Sequence, residues 1–332
     1  METISQLAPI KSFEDIRSLV IDELNDVEEL MHQQLQTKVA LNRQITQHII
    51  GGGGKRLRPL TVLLTAKACG YEGKDHIRIA AILEFVHTAT LLHDDVVDHS
   101  DRRRGNKTAN AIWGNSASVL VGDFIYSKAF EMLSKIHDPV LMEILSSISN
   151  VIAEGELMQL MKRHNVSTSL EEYMHIIRCK TAKLFQAATH MSAKISNTNE
   201  QQLMSLIKYG LYLGTAFQLT DDMLDFSGDS DALGKNIGDD LADGKITLPL
   251  IYAMDQSDEE TRKEIKKIIK SGATQEISFI KEVILSTDAL KYSHEQAKGE
   301  ATRAIEQLSV IQPSKYRDGL IALVDFSINR DH

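Results

Sequence analysis

Residues that interrupt regular backbone are scarce in this sequence. Glycine contributes 19 and proline 5 of the 332 residues, about 7% together, whereas average usage gives about 12%. Because both residues favour turns, their scarcity predicts long helices joined by short connections. It excludes collagen-like and low-complexity chains, and it argues against a β-sandwich, which needs many turns. The charged fraction of 25% and the hydrophobic fraction of 42% are those of a globular protein rather than a disordered one.

Apolar residues recur every three or four positions, which is the helical period. Over residues 14–36 they are Ile16, Val20, Leu24, Val27 and Met31. Similar patterns predict helices over residues 59–69, 75–99, 116–135, 139–163, 170–195, 200–227, 247–256, 258–270, 275–285, 287–308 and 314–328. A glycine run at 51–54, followed by Pro59 at a helix start, and a Gly- and Asp-rich loop at 228–244 interrupt the pattern. No Pro/Ser-rich linker divides the chain, so we expect one all-α domain of ten or more helices over 1–332, with 1–12 flexible.

Charge and cysteine content exclude several classes of protein. A net charge of -9 and a pI near 5.8 would repel nucleic acid, so no nucleic-acid partner is expected. Cys69 and Cys179 are too few for a disulfide framework, and no zinc-binding pattern accompanies them. The chain has neither a long uncharged apolar stretch nor an apolar leader near its start. We therefore expect a cytoplasmic protein with no integral membrane segment.

One short pattern occurs twice. Residues 88–100, TATLLHDDVVDHS, and residues 215–227, TAFQLTDDMLDFS, agree at seven of thirteen positions. The two D-D-x-x-D motifs start at Asp94 and Asp221, and each lies in a predicted helix. A single pair is not a solenoid repeat. The repetition instead indicates that two helices carry the same functional motif.

The spacing of these aspartates favours a bound divalent cation. At about 100° per residue, Asp94 and Asp98 point only about 40° apart, and Asp221 and Asp225 do the same. Like charges so placed repel each other, and their neighbours are mostly apolar. Carboxylate oxygens without His or Cys suit Mg²⁺, which completes its coordination with water and phosphate oxygens. One such motif could equally be a surface helix or a cap, but two in matching contexts favour the metal.

Other polar residues accompany the two motifs. On the same helical wheels, His87 lies about 20° from Asp94, and Gln218 lies one turn before the second motif. Basic residues occur in three loops: Lys55, Arg56 and Arg58; Arg102, Arg103 and Arg104; and Lys235 and Lys245. Each group alone is typical of a solvated surface, and the first is not a Walker A loop because no Ser or Thr follows GKR. Beside the aspartates they suit the binding of a diphosphate.

The sequence also lacks the motifs of a nucleophilic or dinucleotide-dependent enzyme. It contains no G-x-S-x-G, no H-E-x-x-H and no glycine fingerprint after a strand. What remains is a metal, cationic groups and apolar walls. That combination is suited to the departure of diphosphate from a hydrophobic substrate.

Taken together, these motifs resemble those of the trans-polyprenyl diphosphate synthases, especially the bacterial long-chain members. The matching segments are GGKRLRP, DDVVD followed by RRRG, KTAKLF, FQLTDDMLD and GKNIGDDLADGKITLP. The resemblance implies mostly antiparallel helices around a deep central cavity, and a homodimer. It implies successive 1'-4 condensation of isopentenyl diphosphate onto an allylic diphosphate, from farnesyl to octaprenyl length, for quinone side chains.

The resemblance also implies individual roles. Isopentenyl diphosphate would be held by Lys55, Arg58, His87 and Arg104. The allylic diphosphate would be held by Arg103, Lys180, Lys235 and Lys245, while Thr181 and Gln218 line the reaction centre. Mg²⁺, at about three ions per site, would be bound by Asp94, Asp98 and Asp221, supported by Asp95, Asp222 and Asp225. Because Arg102 is also basic, the arginine pair could be shifted by one position.

Product length depends on the wall beneath the first motif. Short-chain members of the family carry a bulky aromatic residue about five positions before the first aspartate, where this chain has Ala89. An alanine there implies an open tunnel and a long product. Phe130, Met132 and Leu133 are candidates for the deeper floor of the tunnel, although plain core packing explains them equally well.

Several alternatives stay open from the sequence. The product could be shorter or longer, or the chain could be a non-catalytic subunit of a heteromeric synthase. Such a subunit is expected to have lost some of these motifs. A terpene cyclase would not need the GGKRLRP loop and His87, and an HD-type phosphohydrolase would need further metal-binding histidines beside His93.

Overall fold

The structure, a computed structural model, describes residues 10–103, 105–227, 239–272 and 276–330. Its first ten helices are α1 (Phe13–Ser18), α2 (Ile21–Gln34), α3 (Ala40–Gly51), α4 (Leu57–Ala68), α5 (Asp75–Val97), α6 (Ala109–Trp113), α7 (Asn115–Ser134), α8 (Pro139–Lys162), α9 (Leu170–Ile177) and α10 (Lys183–Ile195). They are followed by α11 (Glu200–Ser227), α12 (Asp239–Ala242), α13 (Leu248–Gln256), α14 (Glu259–Ser271), α15 (Ile277–Ser286), α16 (Ala289–Gln307) and α17 (Lys315–Ile328). A π-helical turn spans Arg178–Ala182, and a 3₁₀ turn spans Leu308–Val310. The prediction of an all-α fold is confirmed.

Some of the observed helices differ from the predicted ones. The pattern over 14–36 belongs to two helices, because Val20 leaves the helical conformation and buries its side chain in the core. Helices α3, α6 and α12 lie in segments for which no helix was predicted, and α12 lies inside the predicted loop over 228–244. Residues 1–9 of the segment expected to be flexible lie outside the described residues, whereas Ser12 forms the capping box of α1 with Asp15.

Helix α5 is the central helix of the fold. It is apolar on every side over most of its 23 residues, so it packs against other helices all round, including α2, α4, α7 and α10. Helix α10 packs against both α5 and α11, the two helices that carry the aspartate motifs. The motifs therefore belong to two helices that share a neighbour in the core. In the described residues, no helix is both long and apolar enough to cross a bilayer.

The predicted helix over 170–195 is continuous but contains the π-helical turn. Two glycines on neighbouring helices make room for it. A Cβ at Gly155 of α8 would lie 2.9 Å from the backbone nitrogen of Lys180, and one at Gly214 of α11 would lie 2.6 Å from Cα of Ala182. Backbone approach this close leaves no space for a side chain, so helices α8 and α11 hold the turn from two sides.

A short hairpin follows the first aspartate motif. Strands β1 (Arg102–Arg103) and β2 (Asn106–Lys107) pair antiparallel, with Arg103 opposite Asn106. Gly105 supplies the positive φ of 77° that the reversal needs. The hairpin folds the basic segment back beside the end of α5.

Candidate active site

The first aspartate motif lies at the C-terminal end of α5, and basic side chains from distant segments meet it. Lys180 Nζ lies 3.7 Å from Asp94 Oδ2, and Lys245 Nζ lies 2.9 Å from Asp98 Oδ2. Arg163, at the end of α8, contacts the other oxygen of Asp98. Burial opposes ionisation of Asp98, but Lys245, Lys180 and Arg163 outweigh it and lower its pKa. The carboxylate is therefore held charged.

Lys180 is itself held by two residues of α8. Its ammonium donates to Glu156 at 2.7 Å and to Gln159 at 2.8 Å. Burial raises the pKa of Glu156, and Lys180 opposes that effect. Glu156 thus adds a third carboxylate beside Asp94 and Asp98.

Asp95, the middle aspartate of the first motif, faces another way. It is fully buried, and its Oδ1 accepts two hydrogen bonds from Arg103, at 2.7 and 2.9 Å. Burial raises the pKa of Asp95, although Arg103 opposes the shift. The predicted diphosphate-binding Arg103 is thus paired with a predicted supporting metal ligand.

The second motif is arranged in a similar way. Asp221 is 41% exposed and accepts a bond of 2.5 Å from Arg330, whose guanidinium stacks 3.8 Å over the ring of Phe217. Asp225 is half-buried on the same helix. Arg330 was not predicted from the sequence, because no motif links a C-terminal arginine to a helix 109 residues earlier.

Asp222, the middle aspartate of the second motif, is buried like Asp95. It accepts hydrogen bonds from the Tyr173 hydroxyl at 2.5 Å and from the Gln218 amide at 2.6 Å. Burial and the nearby Asp240 raise its pKa to about 7, although both hydrogen bonds oppose this. The oxygen of the Gln218 amide accepts a bond of 2.8 Å from Thr181. The helical wheel placed Gln218 beside the second motif, and its hydrogen-bond partner there is the middle aspartate.

The π-helical turn joins the two motifs. Lys180 and Thr181 are consecutive residues of this turn. Lys180 faces Asp94 on α5, and Thr181 donates a hydrogen bond to Gln218 on α11. Two consecutive side chains thus reach both aspartate helices. The helices that carry the two motifs are therefore connected through one turn.

The glycine-rich loop reaches this region from another side. Arg56 adopts a left-handed conformation with φ of 51°, and its guanidinium bonds Glu28 at 2.6 Å and Glu84 at 2.8 Å. Lys55 and Arg58, on either side of it, lie over the rings of Phe326 and Phe185, at 5.1 and 4.8 Å. A pocket beside the loop is lined by, among others, Arg56, Glu84, His87, Asp95 and Arg103. The predicted site residues Arg104 and Lys235 lie outside the described residues.

Comparisons with known proteins agree with this geometry. Residues 39–285 match the model of the polyprenyl synthetase family. Octaprenyl diphosphate synthase of Escherichia coli (strain K12) is 44% identical over 321 residues, which cover 96% of this chain and 99% of that protein. The chain belongs to the polyprenyl synthetase family. The prediction of a prenyltransferase of the polyprenyl diphosphate synthase type is thereby confirmed.

Solved structures of the family share the fold. A polyprenyl synthase from Caulobacter crescentus CB15, complexed with calcium and isoprenyl diphosphate, superimposes with a TM-score of 0.94 and 38% identity, covering 98% of this chain and 100% of that one. A decaprenyl diphosphate synthase from Rhodobacter capsulatus has a TM-score of 0.91 and 37% identity, covering 97% and 100%. The all-α polyprenyl synthetase fold thus extends over nearly the whole chain.

The donor set of this polyprenyl synthetase fits a hard divalent cation. Within the described ranges, no three His, Cys, Asp or Glu side chains already converge as in a preformed metal site, and the motif carboxylates contact lysine and arginine. Among the described residues around the first motif, negative side chains nevertheless outnumber positive ones: Asp94, Asp98, Glu156, Asp240 and Asp243 against Lys180, Lys245 and Arg163. All donors are carboxylate oxygens, which Mg²⁺ prefers.

The residues predicted to control chain length lie on α5 and α7, two helices that pack against each other. Ala89 is fully buried on α5, while Met132 and Leu133 are buried on α7. Phe130 is partly buried, with its ring 5.5 Å from that of Tyr126. These positions are compatible with a tunnel wall and with core packing alike, so the role of the four residues stays a prediction.

Proposed function

We propose that this chain is a long-chain trans-polyprenyl diphosphate synthase that adds isopentenyl diphosphate units to an allylic diphosphate such as farnesyl diphosphate. The observation that carries the proposal is the π-helical turn, because its adjacent residues Lys180 and Thr181 contact one aspartate helix each. Two acidic motifs around one space can hold one diphosphate from both sides. The name of the Escherichia coli relative, at 44% identity, supports octaprenyl diphosphate as the product.

The metal in this proposal is Mg²⁺, at about three ions per site. The ligands would be Asp94, Asp98 and Asp221, while Asp225 has a supporting role. Bound Mg²⁺ would neutralise the diphosphate and so make it a better leaving group. Asp95 and Asp222 are buried against Arg103 and Tyr173, which favours an indirect role for both.

The basic residues would hold the two diphosphates. Lys180 and Lys245 already lie against the first motif, and with Arg103 and Lys235 they would contact the allylic diphosphate. Isopentenyl diphosphate would be held by Lys55, Arg58, His87 and Arg104. Two separate groups of cations place the acceptor and the donor side by side, as a bimolecular condensation requires.

The reaction then follows from this placement. The C1–O bond of the allylic diphosphate breaks, and the double bond of isopentenyl diphosphate forms the new carbon–carbon bond to C1. The side-chain oxygens of Thr181 and Gln218 would stabilise the positive charge that develops between these events. A proton leaves the new chain, and the released diphosphate accepts it. Repetition of the cycle lengthens the product by one prenyl unit each time.

A homodimer is part of the proposal. Large apolar side chains on α7 and α8 are unusually exposed: Leu120 is 67%, Leu157 60% and Met161 80% exposed. An apolar surface shared by neighbouring helices is typical of a protein–protein interface. The proposal also includes a cytoplasmic location. Light scattering of the purified protein would test the dimer.

Incubation of the purified protein with Mg²⁺, farnesyl diphosphate and labelled isopentenyl diphosphate tests the function. We expect label in a series of elongated products that ends near octaprenyl length, and none when EDTA removes the metal. A cyclic hydrocarbon would instead identify a terpene cyclase, and release of phosphate without elongation would identify a phosphohydrolase. An inert protein would contradict the proposal and favour a non-catalytic subunit.

A further inference from the structure

Tyr173 has no role in the motifs from which the function is proposed. Its side chain on α9 is almost completely buried, and its hydroxyl donates to Oδ2 of Asp222 at 2.5 Å. Both groups lose their hydration when they are buried, so the bond between them compensates a considerable cost. The short bond therefore fixes the orientation of the Asp222 carboxylate.

The hydrogen bonds continue from Asp222 to the reaction centre. Because Tyr173 donates to Oδ2, Oδ1 remains to accept from the Gln218 amide nitrogen, at 2.6 Å. An amide whose nitrogen faces a carboxylate must turn its oxygen the other way, and that oxygen accepts from Thr181 at 2.8 Å. The orientation of Gln218 thus depends on Asp222, and that of Asp222 on Tyr173.

The π-helical turn makes this arrangement possible. Tyr173 and Thr181 are eight positions apart on one helical run, which in a regular α-helix would point them about 80° apart. Thr181 lies within the π-helical turn, which takes up about one extra residue, so its side chain is rotated back toward the direction of Tyr173 and the angle between them is smaller. Both can therefore contact α11, where Asp222 and Gln218 lie one turn apart.

We propose that Tyr173 is a positioning residue for the condensation, which acts through Asp222 to keep the amide oxygen of Gln218 directed at Thr181 and the reaction centre. This inference rests on the proposed function, since it assigns to Gln218 a role in stabilising developing positive charge. Without the Tyr173 hydroxyl, Asp222 can rotate and the Gln218 amide can invert. An inverted amide would present its N–H groups, which repel positive charge.

The test compares Tyr173→Phe with Tyr209→Phe, a matched control. Tyr209 is also fully buried, and its hydroxyl donates to the carbonyl of Leu320 at 2.9 Å, so both variants lose one buried hydrogen bond. We expect similar losses of thermal stability in both variants. Only Tyr173→Phe should lower kcat for isopentenyl incorporation, by about tenfold, with the KM of both substrates nearly unchanged.

A double-mutant cycle distinguishes positioning from a general effect. In a Gln218→Ala background, Tyr173→Phe should lower kcat no further, because the group that it orients is gone. Independent, multiplying effects would overturn the inference, as would an equal loss of kcat in Tyr209→Phe. A Tyr173→Phe variant that fails to fold would assign Tyr173 a structural role and would also overturn it. If the wild-type enzyme itself elongates no substrate, the proposed function fails instead.

Discussion

The ammonium of Lys245 lies 2.9 Å from Oδ2 of Asp98, although 147 residues separate them in the sequence. Lys245 also lies 2.9 Å from Asp243 and 3.7 Å from Asp240. Burial of the ammonium would lower its pKa, but the three carboxylates outweigh burial and raise it. Lys245 therefore stays charged and ties the segment after the second motif to the first motif.

Substitution of Lys245 by methionine should lower kcat/KM for the allylic substrate more than for isopentenyl diphosphate. The unbranched methionine keeps much of the side-chain volume and removes the charge, so Asp98 loses a charge-assisted hydrogen bond and the diphosphate loses a cation. We expect kcat/KM for farnesyl diphosphate to fall by about tenfold or more. Lys270→Met, at an exposed position on α14, is the control. Equal activity of the two variants would contradict a role for Lys245 in the site.

Ala89→Tyr should shorten the product. The side chain of Ala89 is fully buried five residues before Asp94, so a tyrosine ring must displace side chains that pack around α5. We expect products of about farnesyl or geranylgeranyl length on radio-TLC, together with a loss of stability of about 1–3 kcal/mol from overpacking. Ala89→Ser, which is nearly isosteric, should keep the long product. An unchanged product length in a folded Ala89→Tyr enzyme would reject Ala89 as a wall residue.

The sequence predicted those features that depend on local spacing. Helix α5 and helix α11 follow from apolar periodicity, and the pairing of Asp94 with Asp98 on one face follows from the helical repeat. The duplicated motif indicated that two helices carry the same function, and in the structure Lys180 contacts the first copy while Thr181 bonds Gln218 beside the second. Each of these predictions needs only residues within about one turn of each other, or a repeated pattern.

Contacts between distant segments could not be predicted in this way. Arg163 and Arg330 meet Asp98 and Asp221 from the ends of other helices, and only the packing of those helices brings them there. The helical wheel paired Asp94 with Asp98 and Asp221 with Asp225, and it gave no partner for the second aspartate of each adjacent pair, Asp95 and Asp222. In the structure the second of each pair points about 100° away into the core, where Arg103 or Tyr173 binds it.

His76 should make the stability of the protein depend on pH. It is almost fully buried against Tyr71, and neither ring nitrogen has a hydrogen-bond partner among the described residues. Burial, followed by the charge of Lys67, lowers its pKa below the ordinary value near 6.5, although Glu23 and other carboxylates oppose the shift. A group with a lowered folded-state pKa contributes stability above its unfolded-state pKa, and that stability is lost as the pH falls.

His76→Phe tests this expectation. Phenylalanine retains a ring against Tyr71 and cannot take up a proton, so the variant should lose less unfolding free energy than the wild type between about pH 7 and pH 5. Urea denaturation at each pH gives the free energies, and exposed His32→Phe serves as the control. Parallel pH profiles for wild type and His76→Phe would show that His76 does not titrate on unfolding.

Gly155→Ala should move Lys180 and lower elongation without unfolding the protein. The added methyl group would lie 2.9 Å from both Cβ of Cys179 and the backbone nitrogen of Lys180, and a backbone atom cannot yield as a flexible side chain can. The π-helical turn must therefore shift, which carries the ammonium of Lys180 away from Asp94. We expect elongation to fall by about tenfold or more in a protein whose circular dichroism is unchanged.

The matched control for this substitution is Gly299→Ala. Gly299 is also helical, on α16, but nothing lies within 4 Å of the added carbon. There alanine should stabilise the helix by about 0.5–1 kcal/mol and leave elongation unchanged. Full activity of Gly155→Ala would mean that the turn tolerates displacement, and Lys180 would then owe its position to Glu156 and Gln159 rather than to the close approach of α8. If Gly155→Ala loses activity and Gly299→Ala does not, the position of Lys180 depends on the absence of a side chain at Gly155.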